Sequence, residues 1–270
     1  MAYNYVRGFR DGINTVRGWA EKGFDPENKN VSIDIYNNDI TQVGDDFIET
    51  EPSAHNIRVY RNRCTNTQTC GISAQPTYGG PIYIMRNTIY NNPRGVPLKF
   101  NVHPSGVIVY HNTFATKWRN FTGWSNGHFR NNIFMGAVET ATLTDYSTMD
   151  YDALMKGKIR FGMPNLGWRK QEEGRLKPVT FPNLKSFCEA TGYEKHGVIV
   201  DYGIFRELKP AVGKEKTYDP ASIDFSLKPG GAAVDAGARL PNVNDGFTGE
   251  APDLGAWEAG VEPPHYGPRE

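Results

Sequence analysis

A repeated sequence pattern constrains the fold of this chain more than any other feature. In five stretches apolar and polar residues alternate, an asparagine follows, and an apolar residue stands two positions after the asparagine. The stretches are IDIYNNDI (33–40), IRVYRNRC (57–64), IYIMRNTI (82–89), VIVYHNTF (107–114) and NGHFRNNIF (126–134). Their alignment pairs Asn38, Asn62, Asn87, Asn112 and Asn131, at intervals of 24, 25, 25 and 19 residues. A repeat of this length predicts similar structural units stacked along one axis.

The alternation predicts β-strands, because period two places successive side chains on opposite faces and β-branched and aromatic residues fill the apolar positions. A second set of strands is expected between the first, at GIN (12–14), FIETE (47–51), GISAQ (71–75), PLKFN (97–101) and FTGW (121–124). Equivalent strands about 25 residues apart leave no room for helices between them. The predicted fold class is therefore all-β, a parallel β-helix whose coils each contact only their neighbours.

Stacking of the coils also predicts which side chains share a row. The asparagine column is expected to form a structural ladder that hydrogen-bonds to backbone groups and to the next coil. One core row contains Ile13, Ile48, Ile72 and Leu98, and another contains Ile40, Cys64, Ile89 and Phe114. We expect these rows to be core and to have no role in chemistry.

The repeat fades after residue 135. The sequence therefore predicts coils over residues 1–135 and an irregular C-terminal extension over residues 136–270. One helix is predicted over 182–192, with Asn183 as its N-cap and Gly192 at its end. Because the open end of a solenoid exposes unpaired strand edges, we expect the extension to pack on the solenoid.

Composition excludes several classes of partner. Thirty basic residues balance thirty acidic ones, so neither nucleic acid nor a membrane surface is an expected partner. No apolar run reaches 18 residues, and the first stretch, MAYNYVRGFRDG, lacks the pattern of a signal peptide. Three cysteines match neither a disulfide framework nor a zinc spacing. The sequence does not indicate an oligomeric state.

Negative charge is concentrated in one short stretch, GDDFIETE (44–51). Its acids are Asp45, Asp46, Glu49 and Glu51. If Ile48 and Thr50 face the core, strand geometry directs Glu49 and Glu51 outward. In the stacked coils Asp11 falls in the column of Asp46. Two further columns contain Asn14, Glu49, Ser73 and Lys99, and Glu51, Gln75 and Asn101.

These acids have three possible roles. Close carboxylates raise one another's pKa, so that one holds a proton while another is ionised, as general acid and base catalysis requires. The same acids suit Ca²⁺, which binds carboxylate and amide oxygens. The third interpretation is a solvated sheet face without a function. Beside the acids lie four side chains suited to line a groove, namely Tyr78, His103, Trp118 and Trp124.

Residues 1 to about 135 resemble the pectin-lyase-like superfamily of right-handed parallel β-helices, and more specifically the polygalacturonase family of glycoside hydrolases. RDGIN (10–14) resembles the family's Asn-Thr-Asp motif, GDDFI (44–48) its Gly-Asp-Asp motif, TCGIS (69–73) its Gly-His-Gly motif and PLK (97–99) its Arg-Ile-Lys motif. Cys70 and Pro97 stand where that family has histidine and arginine. These departures affect groups that recognise galacturonate, so the expected substrate differs from polygalacturonate.

The resemblance implies a right-handed β-helix that hydrolyses glycosidic bonds of a polysaccharide lying along the solenoid, without a cofactor. The implied catalytic residues are Asp11, Asp45, Asp46, Glu49 and Lys99, of which Lys99 would bind a sugar carboxylate. The expected substrate-binding residues are Glu51, Gln75, Tyr78, Asn101, His103 and Trp124. An inverting hydrolase of this kind needs carboxylates roughly 6.5–9.5 Å apart, a spacing that adjacent coils can supply.

Two alternatives to hydrolysis stay open. In a polysaccharide lyase, Glu49, Glu51 and Asp46 would bind Ca²⁺ against a uronate carboxylate, and Lys99 or His103 would remove the α-proton. Glu49-Thr50-Glu51 resembles the Glu-x-Glu calcium site of some β-helix lyases. In the second alternative the chain is a non-catalytic β-helix that binds carbohydrate or serves as an adhesin or tail-fibre module. The resemblance also implies a secreted or periplasmic protein.

Overall fold

Equivalent strands of successive coils pair with one another, so that the coils of the chain form stacked sheets. The computed structural model describes residues 1–16, 29–100, 102, 104–120, 123–140, 146–161, 179–213 and 215–269.

The largest sheet has eight parallel strands, one from each coil. In the order in which they pair, they are β1 (Tyr5–Arg7), β4 (Asp39–Val43), β7 (Arg63–Thr67), β10 (Thr88–Tyr90), β13 (Thr113–Ala115), β16 (Ile133–Phe134), β19 (Ala153–Met155) and β22 (Val198–Val200). A six-stranded sheet runs beside it. Its strands are β3 (Asn30–Tyr36), β6 (Ser53–Tyr60), β9 (Tyr78–Met85), β12 (Ser105–Tyr110), β15 (Ser125–Arg130) and β18 (Thr148–Asp150).

Two four-stranded sheets complete the coils. The first contains β2 (Ile13–Asn14), β5 (Asp46–Glu49), β8 (Cys70–Ser73) and β11 (Val96–Lys99). The second contains β14 (Trp118–Asn120), β17 (Val138–Thr140), β20 (Ile159–Phe161) and β21 (Val179–Phe181). Every strand pair in the four sheets is parallel except β20 with β21. The predicted fold class, an all-β right-handed parallel β-helix, is confirmed.

The predicted helix is also confirmed, as α1 (Leu184–Thr191), the single α-helix in the described part of the chain. Its N-cap Asn183 accepts a hydrogen bond from the Ser186 N–H at 2.9 Å. Gly192 follows the helix with φ 74°, in the left-handed region that glycine adopts without strain. Across the described ranges, no helix combines the length and apolar character needed to cross a membrane.

The interior of the coils is filled by the predicted apolar rows. Ile13 pairs with Ile48, then Ile72 and Leu98, and Ile40 pairs with Cys64, Ile89 and Phe114 in the neighbouring sheet. Two tryptophans lie in the same core, which corrects the prediction that they line a groove. Trp118 is 0% exposed and stacks on Phe134, and Trp124 is 1% exposed and packs against Phe100.

A buried hydrogen-bond ladder runs along one bend of the coils. Each rung after the first accepts a hydrogen bond from the backbone N–H of the rung before it and, where that rung is an asparagine, from its side-chain amide as well, at 2.6–3.2 Å. The rungs are Asn4, Asn38, Asn62, Asn87, Asn112, Asn132, Asp152 and Glu194. The prediction that Asn131 is a rung is wrong by one residue. Asn131 instead bonds to the Ala238 backbone of the C-terminal extension.

The coils continue past residue 135, so the predicted boundary lies too early. From Asn38, successive rungs are 24, 25 and 25 residues apart up to Asn112 and then 20 and 20 residues apart up to Asp152. The coils become shorter there, which hides their repeat in the sequence. In the first of these coils β14 precedes the predicted strand at 121–124, of which residues 121–122 lie outside the described part.

The extension covers two surfaces of the solenoid. At the end of the coils, Phe187 of α1 packs against Phe161 and Phe181. Beyond β22, residues 201–213 and 215–259 lie along the outer face of the eight-stranded sheet and include short 3-10 turns at Tyr202–Ile204 and Pro220–Ser222. Their apolar side chains form a second core with residues such as Tyr90 and Ile133. These segments therefore pack on the end of the solenoid and mainly on its side.

Candidate functional site

The acids of GDDFIETE lie on the sheet formed by β2, β5, β8 and β11. Pairing across this sheet aligns Asn14 with Glu49, Ser73 and Lys99, which confirms that predicted column. Asp11 lies beside Asp46, since the Asp46 N–H donates to Asp11 Oδ1 at 3.4 Å. Carboxylates from neighbouring coils are thus brought together because successive strands lie only about 4.8 Å apart.

The ammonium of Lys99 lies at the centre of three carboxylates. Its Nζ is 2.6 Å from Asp46 Oδ2, 3.9 Å from Glu49 Oε1 and 4.0 Å from Glu51 Oε1. Burial disfavours the charged form of Lys99, but the hydrogen bond and charge of Asp46 outweigh it, so the pKa of Lys99 lies above its usual value. Lys99 therefore stays protonated and acts as the internal counter-ion of the acids.

Two of these acids are buried, and for Glu51 this corrects the prediction. Asp46 is 0% exposed and Glu51 is 1% exposed, whereas an outward-facing Glu51 was expected. The strand β5 ends at Glu49, so the alternation of faces does not extend to Glu51. Ser73 Oγ donates to Glu51 Oε1. Asp46 Oδ1 and Glu51 Oε2 are buried with no N–H or hydroxyl donor in the described ranges.

Burial also changes how these carboxyl groups titrate. It raises the pKa of Asp46 to about 6, although Lys99 opposes the rise. Burial, with the neighbouring charge of Glu51, raises the pKa of Glu49 to about 7. The pKa of Glu51 is likewise raised by burial. At neutral pH the site therefore holds a proton close to Glu49.

Asn14 links Glu49 to the neighbouring coil. Its amide Nδ2 donates to Glu49 Oε2 at 2.6 Å and to Asp11 Oδ2 at 3.4 Å. Its Oδ1 accepts the Val16 N–H at 2.7 Å, which sets the orientation of the amide. The sequence predicted Asn14 in the column of Glu49, but Asn14 was not among the predicted site residues. Its position in that column is the sequence feature that could have identified it.

Asp45 lies at the bend before β5, apart from Lys99. It accepts a hydrogen bond from Thr69 Oγ1 at 2.6 Å, and Arg10 lies 3.6 Å away on the surface. Next to Asp46 in the sheet is Cys70, where the resembled motif has histidine. Burial raises the pKa of the Cys70 thiol to about 12, so it remains a neutral thiol.

The remaining predicted residues lie in different environments. Gln75 is buried, and Tyr78 is 42% exposed with Lys29 Nζ 4.7 Å from its ring centre. Trp124 lies in the core, where a surface ligand does not reach it, and this corrects its prediction as a substrate contact. Asn101 and His103 lie outside the described residues.

Three carboxylates meet the spacing of a cation site. One oxygen from each of Asp11, Asp46 and Glu49 lies within 4.8 Å of the others. Carboxylate oxygens are suitable ligands for Ca²⁺. The ammonium of Lys99 is already bonded to Asp46, however, and like charges so close repel. The residues present therefore fit a resident lysine better than a divalent cation.

The fold and this ladder of polar residues define the chain as a parallel β-helix protein with an acidic site on one sheet. No protein-family model, no curated protein and no solved structure matches the chain.

Proposed function

We propose that this β-helix is a carbohydrate-active enzyme that hydrolyses glycosidic bonds of an extended polysaccharide. The observation that carries the proposal is the pair of carboxyl groups formed by Glu49 and Asp11. They come from neighbouring coils, are bridged by Asn14, and lie beside each other at a partly exposed surface. Glycoside hydrolysis requires such a pair, one group to protonate the leaving oxygen and one to act on the anomeric carbon or on water.

Glu49 is the acid in this proposal. Its pKa of about 7 keeps a proton available near neutral pH, and 12% of its side-chain surface remains exposed to a substrate. Asp46 has no exposed surface, so its role is to hold Lys99 and not to contact substrate. This replaces the catalytic role that the resemblance implied for Asp46.

The spacing of the pair favours a retaining reaction over the inverting one implied by the resemblance. The nearest oxygens of Asp11 and Glu49 are within 4.8 Å. Retaining enzymes place their carboxyl groups roughly 5–5.5 Å apart, and inverting enzymes roughly 6.5–9.5 Å apart. Asp11 would attack the anomeric carbon as Glu49 protonates the leaving oxygen, and water would then cleave the glycosyl ester with Glu49 as base.

The position of Lys99 supports a substrate without carboxylates. Its ammonium is bonded to Asp46 and adjoins Glu49 and Glu51, so it has little capacity to bind a uronate carboxylate. The same bond disfavours Lys99 as the base of the lyase alternative, because a lysine with a raised pKa is a poor acceptor for an α-proton. A neutral polysaccharide is therefore the proposed substrate class.

The test is a cleavage assay on a panel of neutral and uronate polysaccharides. Reducing ends and the ultraviolet absorbance of unsaturated products would be followed together, with and without EDTA. We expect reducing ends without absorbance, no effect of EDTA, and a rate that falls as pH rises through about 7 and Glu49 loses its proton.

Single substitutions test the catalytic roles proposed for Glu49 and Asp11. Glu49→Gln and Asp11→Asn should each lower the rate by roughly 10²–10⁴-fold. The control is Asp34→Asn, which removes a carboxylate on a different sheet, where Asp34 pairs with Arg58. If both site variants still cleave the substrate at the rate of the unaltered chain, Glu49 and Asp11 are not the catalytic pair. An EDTA-sensitive unsaturated product indicates the lyase, and binding without any cleavage indicates the non-catalytic module.

A further inference from the structure

The buried ladder of asparagines ends in two acids. Asp152 takes the rung after Asn132, and its Oδ1 accepts the Asn132 N–H at 2.6 Å and the Asn132 amide at 2.8 Å. Glu194 takes the last rung, where its Oε2 accepts the Asp152 N–H at 3.1 Å. An asparagine amide donates at each earlier rung, whereas an ionised carboxylate has no proton to donate.

These two carboxyl groups are buried against each other. Asp152 is 0% exposed and Glu194 is 2% exposed, and their side chains are in hydrogen-bond contact. Asp152 Oδ2 and Glu194 Oε1 have no N–H or hydroxyl donor in the described part of the chain. Two touching carboxylates cannot both be ionised without water at acceptable free energy. One proton shared between the two side chains allows one carboxyl group to donate a hydrogen bond to the other.

The charged groups around Asp152 and Glu194 do not remove the need for a proton on one of the two carboxyl groups. The positive charge of Arg130 lowers the pKa of Asp152, but its guanidinium donates its hydrogen bond to the Phe129 carbonyl. On the other side Asp150 adds negative charge near Glu194, and Asp150 is itself bonded to His196 at 2.9 Å. The phenol of Tyr110 also lies within electrostatic range of Asp152. Arg130 therefore favours the ionised form of Asp152, whereas Asp150 favours the protonated form of Glu194.

Glu194 lies at the joint between the extension and the last coil. Its backbone adopts φ 55°, and its N–H donates to the Met149 carbonyl at 2.8 Å. The Val198 N–H donates to the Asp152 carbonyl at 3.0 Å, which starts β22. The acid pair therefore connects the segment 184–200, which contains α1 and β22, to the coils.

We propose that Asp152 and Glu194 share one proton and form a pH-sensitive contact that holds the segment 184–200 on the last coil. Burial raises the pKa of Asp152 to about 7 and holds the pKa of Glu194 well above its usual range. The folded segment thus binds more protons than the unfolded chain between the ordinary carboxyl pKa values and about pH 7. The stabilisation is complete at acidic pH and is lost as pH rises through about 7.

Amide hydrogen exchange of residues 184–200 tests the proposal. In the unaltered chain the protection factors should fall by up to roughly tenfold per pH unit for each proton lost, between pH 5 and 8. Asp152→Asn should remove this dependence, because its amide can donate to an ionised Glu194, as in the earlier rungs. Glu194→Gln should do the same. Glu189→Gln is the control, since Glu189 is a mostly exposed acid of α1.

If the protection factors of residues 184–200 depend on pH in the same way in the unaltered chain and in both variants, the proposal is overturned. If the variants do not fold, carbon-13 titration of the unaltered chain decides instead. Carboxyl resonances of both acids that titrate at the ordinary values of 3.8 and 4.5 would refute a shared proton. At least one resonance titrating near neutral pH would support it.

Discussion

Replacement of Lys99 by methionine should make the stability of the protein depend strongly on pH. Methionine keeps most of the aliphatic stem and removes the ammonium. Asp46, which is fully buried and bonded to that ammonium at 2.6 Å, then loses its counter-ion. Its Oδ1 already lacks an N–H or hydroxyl donor in the described part of the chain. An ionised Asp46 would thus be left buried and uncompensated.

The magnitude depends on whether Asp46 is charged. Removal of one partner of a buried ion pair costs about 3–5 kcal/mol. The pKa of Asp46 is already raised from 3.8 to about 6 by burial, and loss of Lys99 raises it further. A carboxyl group whose pKa is raised on folding favours the folded state at low pH and loses this contribution as pH rises. The full cost of Lys99→Met should therefore appear at pH 8 and only a small part of it at pH 5.

Thermal and urea unfolding at both pH values measure this difference. At pH 8 we expect the melting temperature of Lys99→Met to fall by on the order of 10 °C, since 1 kcal/mol corresponds to roughly 2–4 °C for a chain of this size. Asp46→Asn in the Lys99→Met background should restore most of the loss. Lys185→Met, at an exposed pair with Glu189, serves as the control and should change stability by less than about 1 kcal/mol. Equal destabilisation at pH 5 and pH 8, or no rescue by Asp46→Asn, would refute the reasoning.

Two further predictions concern the packing of the coils. Asn87→Ala should destabilise the protein by several kcal/mol in urea unfolding, because it removes buried hydrogen bonds to both neighbouring coils, and each buried group left without a partner costs roughly 1–3 kcal/mol. The exposed Gln68→Ala is the control, and a loss below about 1 kcal/mol for Asn87→Ala would contradict a stabilising role of the ladder. Gly71→Ala should lower the melting temperature measurably, because a Cβ at Gly71 would overlap the Pro97 carbonyl of the next coil. Gly246→Ala, where a Cβ has open space, is its control, and similar melting temperatures for the two would show that the coils can separate there.

Much of the solenoid could be predicted because its signals are local. Alternation of apolar residues sets which side chains face the core, and the repeat sets which of them stack, so the row of Ile48 and the column of Glu49 were both predicted. The prediction failed at Asn131, where two asparagines adjoin and the coil is shorter. Only the hydrogen bond from Asn112 identifies Asn132 as the rung.

The candidate site could be predicted only in outline. Its acids were found because they are crowded in one stretch, but Trp124 was placed in the wrong environment. An aromatic residue in the short stretch 121–124 could face either the core or a groove, and the contact of Trp124 with Phe100 depends on how the shorter coils pack. Asp152 and Glu194 were not singled out, because each acid looks ordinary until the coils bring the two together.

The sequence by itself determined the repeat, the parallel strands and the identity of the acids in residues 44–51. The tertiary structure decided how deeply those acids are buried, which of them hold a proton and which cation neutralises them. Lys99 lies 53 residues from Asp46 along the chain, yet its ammonium reaches that carboxylate and two others. Charge state depends on burial and on neighbouring charges within a few ångströms, and in a solenoid those neighbours belong to other coils. For this reason the sequence predicted a cluster of outward negative charge, whereas folding produces a partly buried, partly protonated site with its own counter-ion.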